Sequence, residues 1–223
     1  MADLIAADLT ARGLTAPDLI ARSPVRPVQP AVLAGWEVTG RASPADLTLT
    51  DVTPLAKVLV RAPHDGAVAR LLGVPFGRAA TDSAGDLVTG SGPGEWLVLG
   101  PAGGQSALAQ RLAELTAPAA AEELVTVLDL THARALLRLT GPAAAGMLAK
   151  VCAIDLADAV TPDGTAFRSS VARVVTDVVR DDKGAPSYLL GCERSYGQYL
   201  FDALLDAGAE FGTGIDGFRL PGA

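Results

Sequence analysis

Aromatic residues, histidine and cysteine are scarce in this chain. Of its 223 residues 4% are aromatic, and it contains only two histidines, His64 and His132, and two cysteines, Cys152 and Cys192. So few ligands, so far apart, exclude most zinc sites and any disulfide-rich scaffold. We expect both cysteines to be buried side chains in a reducing compartment, and no catalytic site built on histidine.

Clustered positive charge and long apolar runs are also missing. The net charge is −7 at pH 7 and the pI is about 4.8, with no Lys/Arg cluster, which argues against nucleic-acid and anionic-membrane partners. No apolar run approaches the roughly 18 residues of a membrane span. Asp3 and Asp8 interrupt a start that has no basic residues, so it does not resemble a signal peptide. We therefore expect a cytoplasmic protein.

Small aliphatic residues are abundant instead. Hydrophobic residues make up 49% of the chain, mostly Ala, Val and Leu, and the mean hydropathy is +0.32. In a chain without a membrane span, this excess predicts surface that is buried either in a core or against a partner.

Residues 1–47 differ from the rest in their proline content. We interpret them as an N-terminal arm, with a disordered tail as the alternative, and short helices are plausible around 2–12 and 16–22. The stretch 24–30 is excluded from helices and central strands. The prolines of this region are Pro17, Pro24, Pro27, Pro30 and Pro44.

From residue 48 onwards the chain repeats itself with an offset of about 80 residues. The triplet at 51–53, Asp-Val-Thr, is echoed by Asp-Leu-Thr at 129–131. A strand-like alternation follows each triplet, at 55–61 and 134–139, with an apolar face opposite basic residues such as Lys57.

The later parts of the two repeats also match. Strands are predicted at 86–89, 95–100, 166–180 and 187–191, and helices with one apolar stripe at 104–116 and 196–208. The valine-rich stretch 166–180 is typical of a central strand buried on both faces. Each copy thus has the order strand–helix–strand–strand–strand–helix.

This order predicts the α+β class. We expect duplicated split-βαβ (ferredoxin-like) halves with antiparallel sheets, related by a pseudo-twofold axis. The predicted domain spans 48–223, with repeats at about 48–121 and 122–218. One unit is favoured over two independent domains, because half of this length buries little surface alone.

Two glycine-rich segments resemble phosphate loops in composition only. At 90–94 a proline removes one N–H and a strand follows, so we expect a hairpin turn. The segment at 100–104 precedes a helix but lacks the spacing of a dinucleotide fingerprint, so we expect a strand-to-helix connection.

Isolated polar residues suggest no catalytic constellation. His132 beside Asp129 and Thr131 has the partners of a general base, but no nucleophile motif accompanies it, and a surface histidine is favoured. Structural roles are favoured for the other candidates: His64 before a helix start at Asp65, Arg168 in solvent, Asp181 and Asp182 in a solvated turn, and Ser195 as a helix N-cap. We predict no catalytic, cofactor-binding or metal-binding residue in this chain.

Several segments of the sequence resemble the gamma subunits of heterotetrameric sarcosine oxidase. The segment at 129–142 reads DLTHARALLRLTGP, and those at 148–156, 167–170, 192–200 and 207–212 are similar to the same family. In the first half, 55–58 and 94–97 fit as well, so the resemblance covers about 48–218.

The resemblance implies a non-catalytic role in a larger complex. Such a complex demethylates sarcosine oxidatively to glycine, releases hydrogen peroxide and transfers the one-carbon unit to tetrahydrofolate. NAD and the folate site are implied for the alpha subunit, FAD and covalent FMN for beta, and zinc for delta. The gamma subunit is implied to hold no cofactor and to contact chiefly alpha, with beta and delta in the same assembly.

Two alternatives stay open. The wider relatives are glycine-cleavage aminomethyltransferases and folate-dependent regulatory proteins, so a free-standing folate-binding or aminomethyl-transfer protein is one. Their Arg-Thr-Gly-Tyr-x-Gly-Glu-type segment is absent here, which puts a folate site in doubt. The other is a scaffold subunit of a related secondary-amine oxidase.

Overall fold

A computed structural model describes residues 20–220, and these form three β-sheets with helices on the outer faces. The first sheet is small and has the strand order β1-β3-β2, with β1 parallel to β3. Its strands are β1 (Ala21–Arg22), β2 (Pro30–Leu33) and β3 (Trp36–Thr39).

The remaining residues form two larger sheets. A first segment contains β4 (Thr48–Asp51), β5 (Ala56–Arg61), α1 (Ala67–Leu72), β6 (Ala79–Thr81), β7 (Leu87–Gly92), β8 (Glu95–Gly100) and α2 (Gln105–Thr116). A second contains β9 (Thr126–Asp129), β10 (Arg134–Thr140), α3 (Ala144–Leu148), β11 (Ala166–Val171), β12 (Val174–Arg180), β13 (Ser187–Glu193), α4 (Gly197–Ala207) and β14 (Gly214–Asp216).

The strand orders are β6-β7-β8-β5-β9 and β11-β12-β13-β10-β4-β14, and all pairs in these sheets are antiparallel except β14 with β4. The α+β class with antiparallel sheets is therefore confirmed. The order from β6 to β5 is the same as that from β11 to β10. The leading strands are exchanged, because β4 pairs with β10 and β9 pairs with β5. The pseudo-twofold relation and the domain boundaries stay predictions.

The two large sheets face each other, with the helices outside. Leu97 and Leu99 of β8 contact a central cluster that includes Leu136 and Leu189 of the opposite sheet. Outside the first sheet, Val58 and Val98 pack with α2; outside the second, strands β10 and β13 pack with α3 and α4. The apolar stripes predicted for α2 and α4 are buried at Leu108, Leu112, Leu200 and Leu204, whereas Leu115 is 38% exposed.

The prediction of one solvated face for the 55–61 strand is wrong. Lys57 is only 1% exposed, because the second face of β5 points towards the other sheet instead of water. Only Arg61, at the end of the strand, is exposed. The alternation in the sequence therefore separates a face that packs on α2 from a face buried between the two sheets.

The single strand predicted over 166–180 is also wrong, because the stretch forms the hairpin β11–β12. Ala172 and Arg173 at its tip have φ of 46° and 68°, a left-handed geometry typical of two-residue hairpin turns. β11 is an edge strand of its sheet. β12 is central and buried at every residue except Val175, which is 70% exposed, so the prediction of a central buried strand is confirmed for β12.

Residues 20–47 are folded against the sheets. Trp36 and Val38 belong to the central cluster, and Val25 belongs to the core beside α4. A helix at 16–22 is wrong for residues 21 and 22, which form β1, while the helix expected at 2–12 lies outside the described residues.

Both predicted side-chain N-caps are wrong. At α1 the cap position is Gly66, and the Ala67 N–H donates to the Glu123 carboxylate instead of to Asp65. At α4 a short 3₁₀ turn containing Ser195 precedes the helix and no side chain caps it. The Glu123 carboxylate, from a segment distant in sequence, thus accepts the hydrogen bond at the start of α1 that the local sequence assigned to Asp65.

Candidate functional site

A polar cleft lies at one end of the space between the two large sheets. Its volume is about 420 Å³. Leu59 and Arg61 of β5 and Glu95 of β8 line one wall, and Arg134 of β10 and Asp177 of β12 line the other. Residues of both large sheets therefore form this cleft.

Charges in the cleft are paired within the chain. Asp177 accepts hydrogen bonds from Arg134 and from Arg168 Nε, the latter at 2.6 Å. Arg61 meets Glu95 at 2.7 Å. The hydrogen bond to Asp177 raises the pKa of the Arg168 guanidinium, because the carboxylate favours the charged form. Each of these three guanidinium groups thus has a carboxylate partner. The Arg168 side chain is 45% exposed, as expected for an arginine in solvent, and its pairing with Asp177 was not predicted.

The Asp-x-Thr triplets at 51–53 and 129–131 lie where β4 and β9 each pair with the sheet of the other segment, and they make reciprocal contacts. The Thr53 hydroxyl accepts a hydrogen bond from the Leu136 N–H of β10 at 3.1 Å, and the Thr131 hydroxyl accepts one from the Lys57 N–H of β5 at 3.0 Å. The Val52 N–H donates to Leu136 O at 2.9 Å, matching the Leu130 N–H to Lys57 O at 2.8 Å. Each triplet therefore binds the first long strand of the other segment.

The aspartates of the triplets shape these turns. Asp51 accepts from the Thr53 N–H at 3.0 Å, and Asp129 accepts from the Thr131 N–H at 2.8 Å. Burial raises the pKa of the Asp51 carboxyl, although hydrogen bonds from Ser23 and Thr53 oppose it. The offset between the triplets was visible in the sequence, but their mutual contact was not.

Lys57 is the most perturbed basic group of this junction. Its Nζ donates to Thr53 O at 2.6 Å and to Leu55 O at 2.8 Å. Burial lowers the pKa of this amine to about 7, opposed by attraction to Asp51 and Asp129. A pKa near 7 is typical of catalytic lysines, but an amine that is buried and bonded to two carbonyl oxygens has no access to a substrate. Its geometry supports a structural role.

Both glycine-rich segments lie where the sequence placed them. Residues 90–94 join β7 to β8 as a hairpin, with Gly94 at a φ of 72°, and residues 100–104 join β8 to α2. Neither geometry is that of a phosphate-binding loop at a helix after a Gly-x-Gly-x-x-Gly turn.

The two histidines lie apart at the surface. The His132 ring stacks on Trp36 with a centroid distance of 4.8 Å and an angle of 10°, and this contact packs the small sheet against the residues that precede β10. His64 is exposed beside Asp65, at 3.9 Å. The stack joins residues almost a hundred positions apart, which no local pattern reveals.

The acidic pair at the β12–β13 turn is less solvated than predicted. Asp181 is 9% exposed and accepts a hydrogen bond from Arg138 at 2.7 Å, and Asp182 pairs with Arg180 at 3.1 Å. Both cysteines are buried and unpaired in the described part, and burial raises the pKa of the Cys192 thiol to about 11. Such a thiol is a poor nucleophile at neutral pH.

Residues 20–220 lack two further features. They contain no group of three or more His, Cys, Asp or Glu side chains arranged to hold a metal ion. They also contain no helix long and apolar enough to cross a membrane.

Comparison with known proteins decides the family. The model of the sarcosine oxidase, gamma subunit family matches residues 62–210. The sarcosine oxidase subunit gamma of Corynebacterium sp. (strain P-1) is 30% identical over 202 residues, which cover 87% of this chain and 93% of that protein. This chain belongs to the sarcosine oxidase gamma subunit family. The resemblance found in the sequence is thus confirmed.

Solved structures agree with this assignment. A chain of heterotetrameric sarcosine oxidase from Corynebacterium sp. U-96, in complex with pyrrole 2-carboxylate, matches with a TM-score of 0.65 and 27% identity over 78% of this chain and 89% of that one. The glycine cleavage aminomethyltransferase T of Bartonella henselae matches with a TM-score of 0.63 and 19% identity over 85% of this chain and 55% of that one, which shows the shared fold.

Proposed function

We propose that this gamma-family chain is a non-catalytic, structural subunit of a heterotetrameric sarcosine oxidase in the cytoplasm. The complex oxidises sarcosine to glycine with release of hydrogen peroxide and transfer of the one-carbon unit to tetrahydrofolate. FAD, FMN, NAD, the folate site and zinc belong to the alpha, beta and delta subunits, and alpha is the principal contact. Family membership carries this proposal.

The chemistry of the cleft supports the absence of a reaction centre in this subunit. Its arginines already bind carboxylates of the same chain, through Arg61 with Glu95 and through Arg134 and Arg168 with Asp177. An acidic ligand such as a folate would have to displace these carboxylates before it could pair with a guanidinium. The residues of this cleft therefore do not fit an acidic ligand such as a folate.

Co-expression with the alpha, beta and delta subunits of the same source tests the proposal. We expect this chain to elute with the flavin-containing subunits in one complex of equal stoichiometry, measured by native mass spectrometry. The isolated chain should give no sarcosine-dependent peroxide and no heat on calorimetric titration with tetrahydrofolate. A chain that stays monomeric beside its partners, or that binds tetrahydrofolate tightly alone, contradicts the proposal and favours the free-standing folate protein.

A further inference from the structure

An open apolar groove lies on the outer face of the first segment. It has a volume of about 500 Å³ and runs between the α1–β6 connection, at 73–78, and the β7–β8 turn. Val74, Pro75, Pro93 and Trp96 line it. Phe76 stands at its side with 63% of its surface exposed, in a chain where only 4% of residues are aromatic. Exposed aromatic side chains beside a groove are typical of binding surfaces.

The second segment fills the equivalent position with its own chain. There the connection from α3 to β11 is much longer, at 149–165, and it buries Leu156 and Thr161 to 5% and 3% exposure. Arg180 donates to Thr161 O at 2.7 Å, and the Asp182 N–H at the turn donates to Asp163 at 2.9 Å. These bonds tie the connection to the β12–β13 turn and close the space.

A buried aromatic residue lies beneath each position. Tyr188, the second residue of β13, is fully buried under the covered side, and Trp96, the second residue of β8, is 3% exposed beneath the open groove, where Phe76 stays exposed. The covering segment is irregular and buries the apolar side chain of Leu156. An occupant of the open groove should have the same character.

The charges at the rim of the groove limit its occupant further. His64, Asp65 and Arg70 line the rim, so a carboxylate and a guanidinium balance each other in a chain whose net charge is −7. Arg70 also donates to Asp65 O at 2.9 Å. A locally neutral rim around apolar walls suits a neutral, apolar segment and offers little steering to a charged one.

We propose that this groove receives an extended apolar segment of a partner subunit of the sarcosine oxidase complex, with one large apolar side chain packed against Phe76 and Pro93. The proposal rests on the proposed function, because it requires the assembly to exist. It assigns to the partner the place that residues 149–165 take in the second segment.

The first test is assembly of the complete complex with Phe76→Asp. We expect the affinity of this variant for the other subunits to fall about 10-fold or more, because a carboxylate would be buried against apolar walls. Leu124→Asp is the matched control, since Leu124 is 86% exposed and does not line the groove. Affinity measured by biolayer interferometry should change little with salt concentration, and the melting temperature of each isolated variant reports its folding.

The outcomes separate the two proposals. A wild-type chain that does not bind the other subunits overturns the proposed function. A wild-type chain that binds, with Phe76→Asp and Leu124→Asp equally good, overturns the groove alone.

A second test does not depend on the folding of the Asp variant. A photoreactive benzoylphenylalanine at position 76 in the complete complex should cross-link to an apolar segment of a partner subunit, identified by mass spectrometry. The same probe at position 124 is the control. A cross-link to a second copy of this chain, to residues of the same chain, or to nothing above the control overturns the proposal.

Discussion

At the scale of single residues, Lys57 is a basic side chain that is only 1% exposed. It lies between the two sheets, with Asp51 and Asp129 attracting its charge and with Arg134 and Arg194 opposing it. Its amine holds the backbone of the turn at 53–55 by two hydrogen bonds. An apolar side chain at position 57 would avoid the free-energy cost of burying an amine, but it could not donate these two hydrogen bonds. The turn at 53–55 is needed because β4, the strand before it, pairs with the opposite sheet.

Lys57→Met is expected to change how stability depends on pH. Because the folded pKa of Lys57 is about 7 against 10.5 ordinarily, the unfolded chain binds one proton more than the folded chain between these values. The free energy of unfolding of the wild type therefore gains a term that rises by up to about 1.4 kcal/mol per pH unit in that window. The variant loses this term, measured by urea unfolding from pH 6.5 to 9.5.

Lys150→Met provides the matched control, because the side chain of Lys150 is 41% exposed and its amine pairs with Glu210. Asp51 acts in the opposite direction. Because its pKa in the folded chain is raised above the ordinary 3.8, its contribution to the free energy of unfolding is full at acid pH and is lost as the pH rises through the folded pKa. Parallel pH profiles for wild type and Lys57→Met would contradict a lysine with a lowered pKa.

At the scale of elements, the exchanged strands β4 and β9 explain why the two Asp-x-Thr triplets exist. Each leading strand crosses to the opposite sheet, and its triplet turns the chain back into its own segment while satisfying an N–H of the other. A buried N–H without a partner costs about 1–3 kcal/mol, so these turns hold both sheets in register.

Thr131→Val and Thr53→Val should each lower the free energy of unfolding by about 1–3 kcal/mol, because each removes the acceptor of a buried N–H while conserving volume. Native-state hydrogen exchange should show where the loss falls. Thr131→Val is expected to expose the amide of Lys57, and Thr53→Val that of Leu136.

Thr81→Val on the exposed edge strand β6 is the control, with an expected change within about 0.5 kcal/mol. Faster exchange confined to the segment that carries the substitution would refute the reciprocal arrangement.

At the scale of the whole molecule, the connections between the sheets predict one cooperative unit. Besides the exchanged strands, the edges of the sheets meet where the Ala79 N–H donates to Gly164 O at 2.8 Å and the Ala166 N–H donates to Gly77 O at 3.0 Å. Neither sheet can open without breaking contacts of the other, so we expect a single unfolding transition.

Single-tryptophan variants test this expectation. Trp36→Phe leaves Trp96 to report on the first large sheet, and Trp96→Phe leaves Trp36 to report on the small sheet and the central cluster. In each variant, tryptophan fluorescence and far-ultraviolet circular dichroism should give the same urea midpoint. Midpoints that differ by more than about 0.3 M within one variant would indicate independent domains.

Much of the element order was predictable from the sequence, because alternation and helical spacing are local properties. The strand β8, the helices α2 and α4 and the hairpin at 90–94 fall within a few residues of their predicted positions. Residues whose partners lie far along the chain were misread: Lys57 was assigned to a solvated face and Asp65 to a helix cap.

The sequence by itself determined the family, the α+β class and the repeated order of elements. These follow from short sequence segments and from the local spacing of apolar residues. Only the tertiary structure decided which strand pairs with which sheet, that His132 stacks on Trp36, and that the arginines of the cleft are paired. The scarcity of histidine and aromatic residues argues against zinc sites and histidine-based catalysis, but it does not show where a binding surface such as the groove beside Phe76 lies. Burial and ion pairing depend on contacts between distant segments, and a pattern read along one chain does not contain those distances.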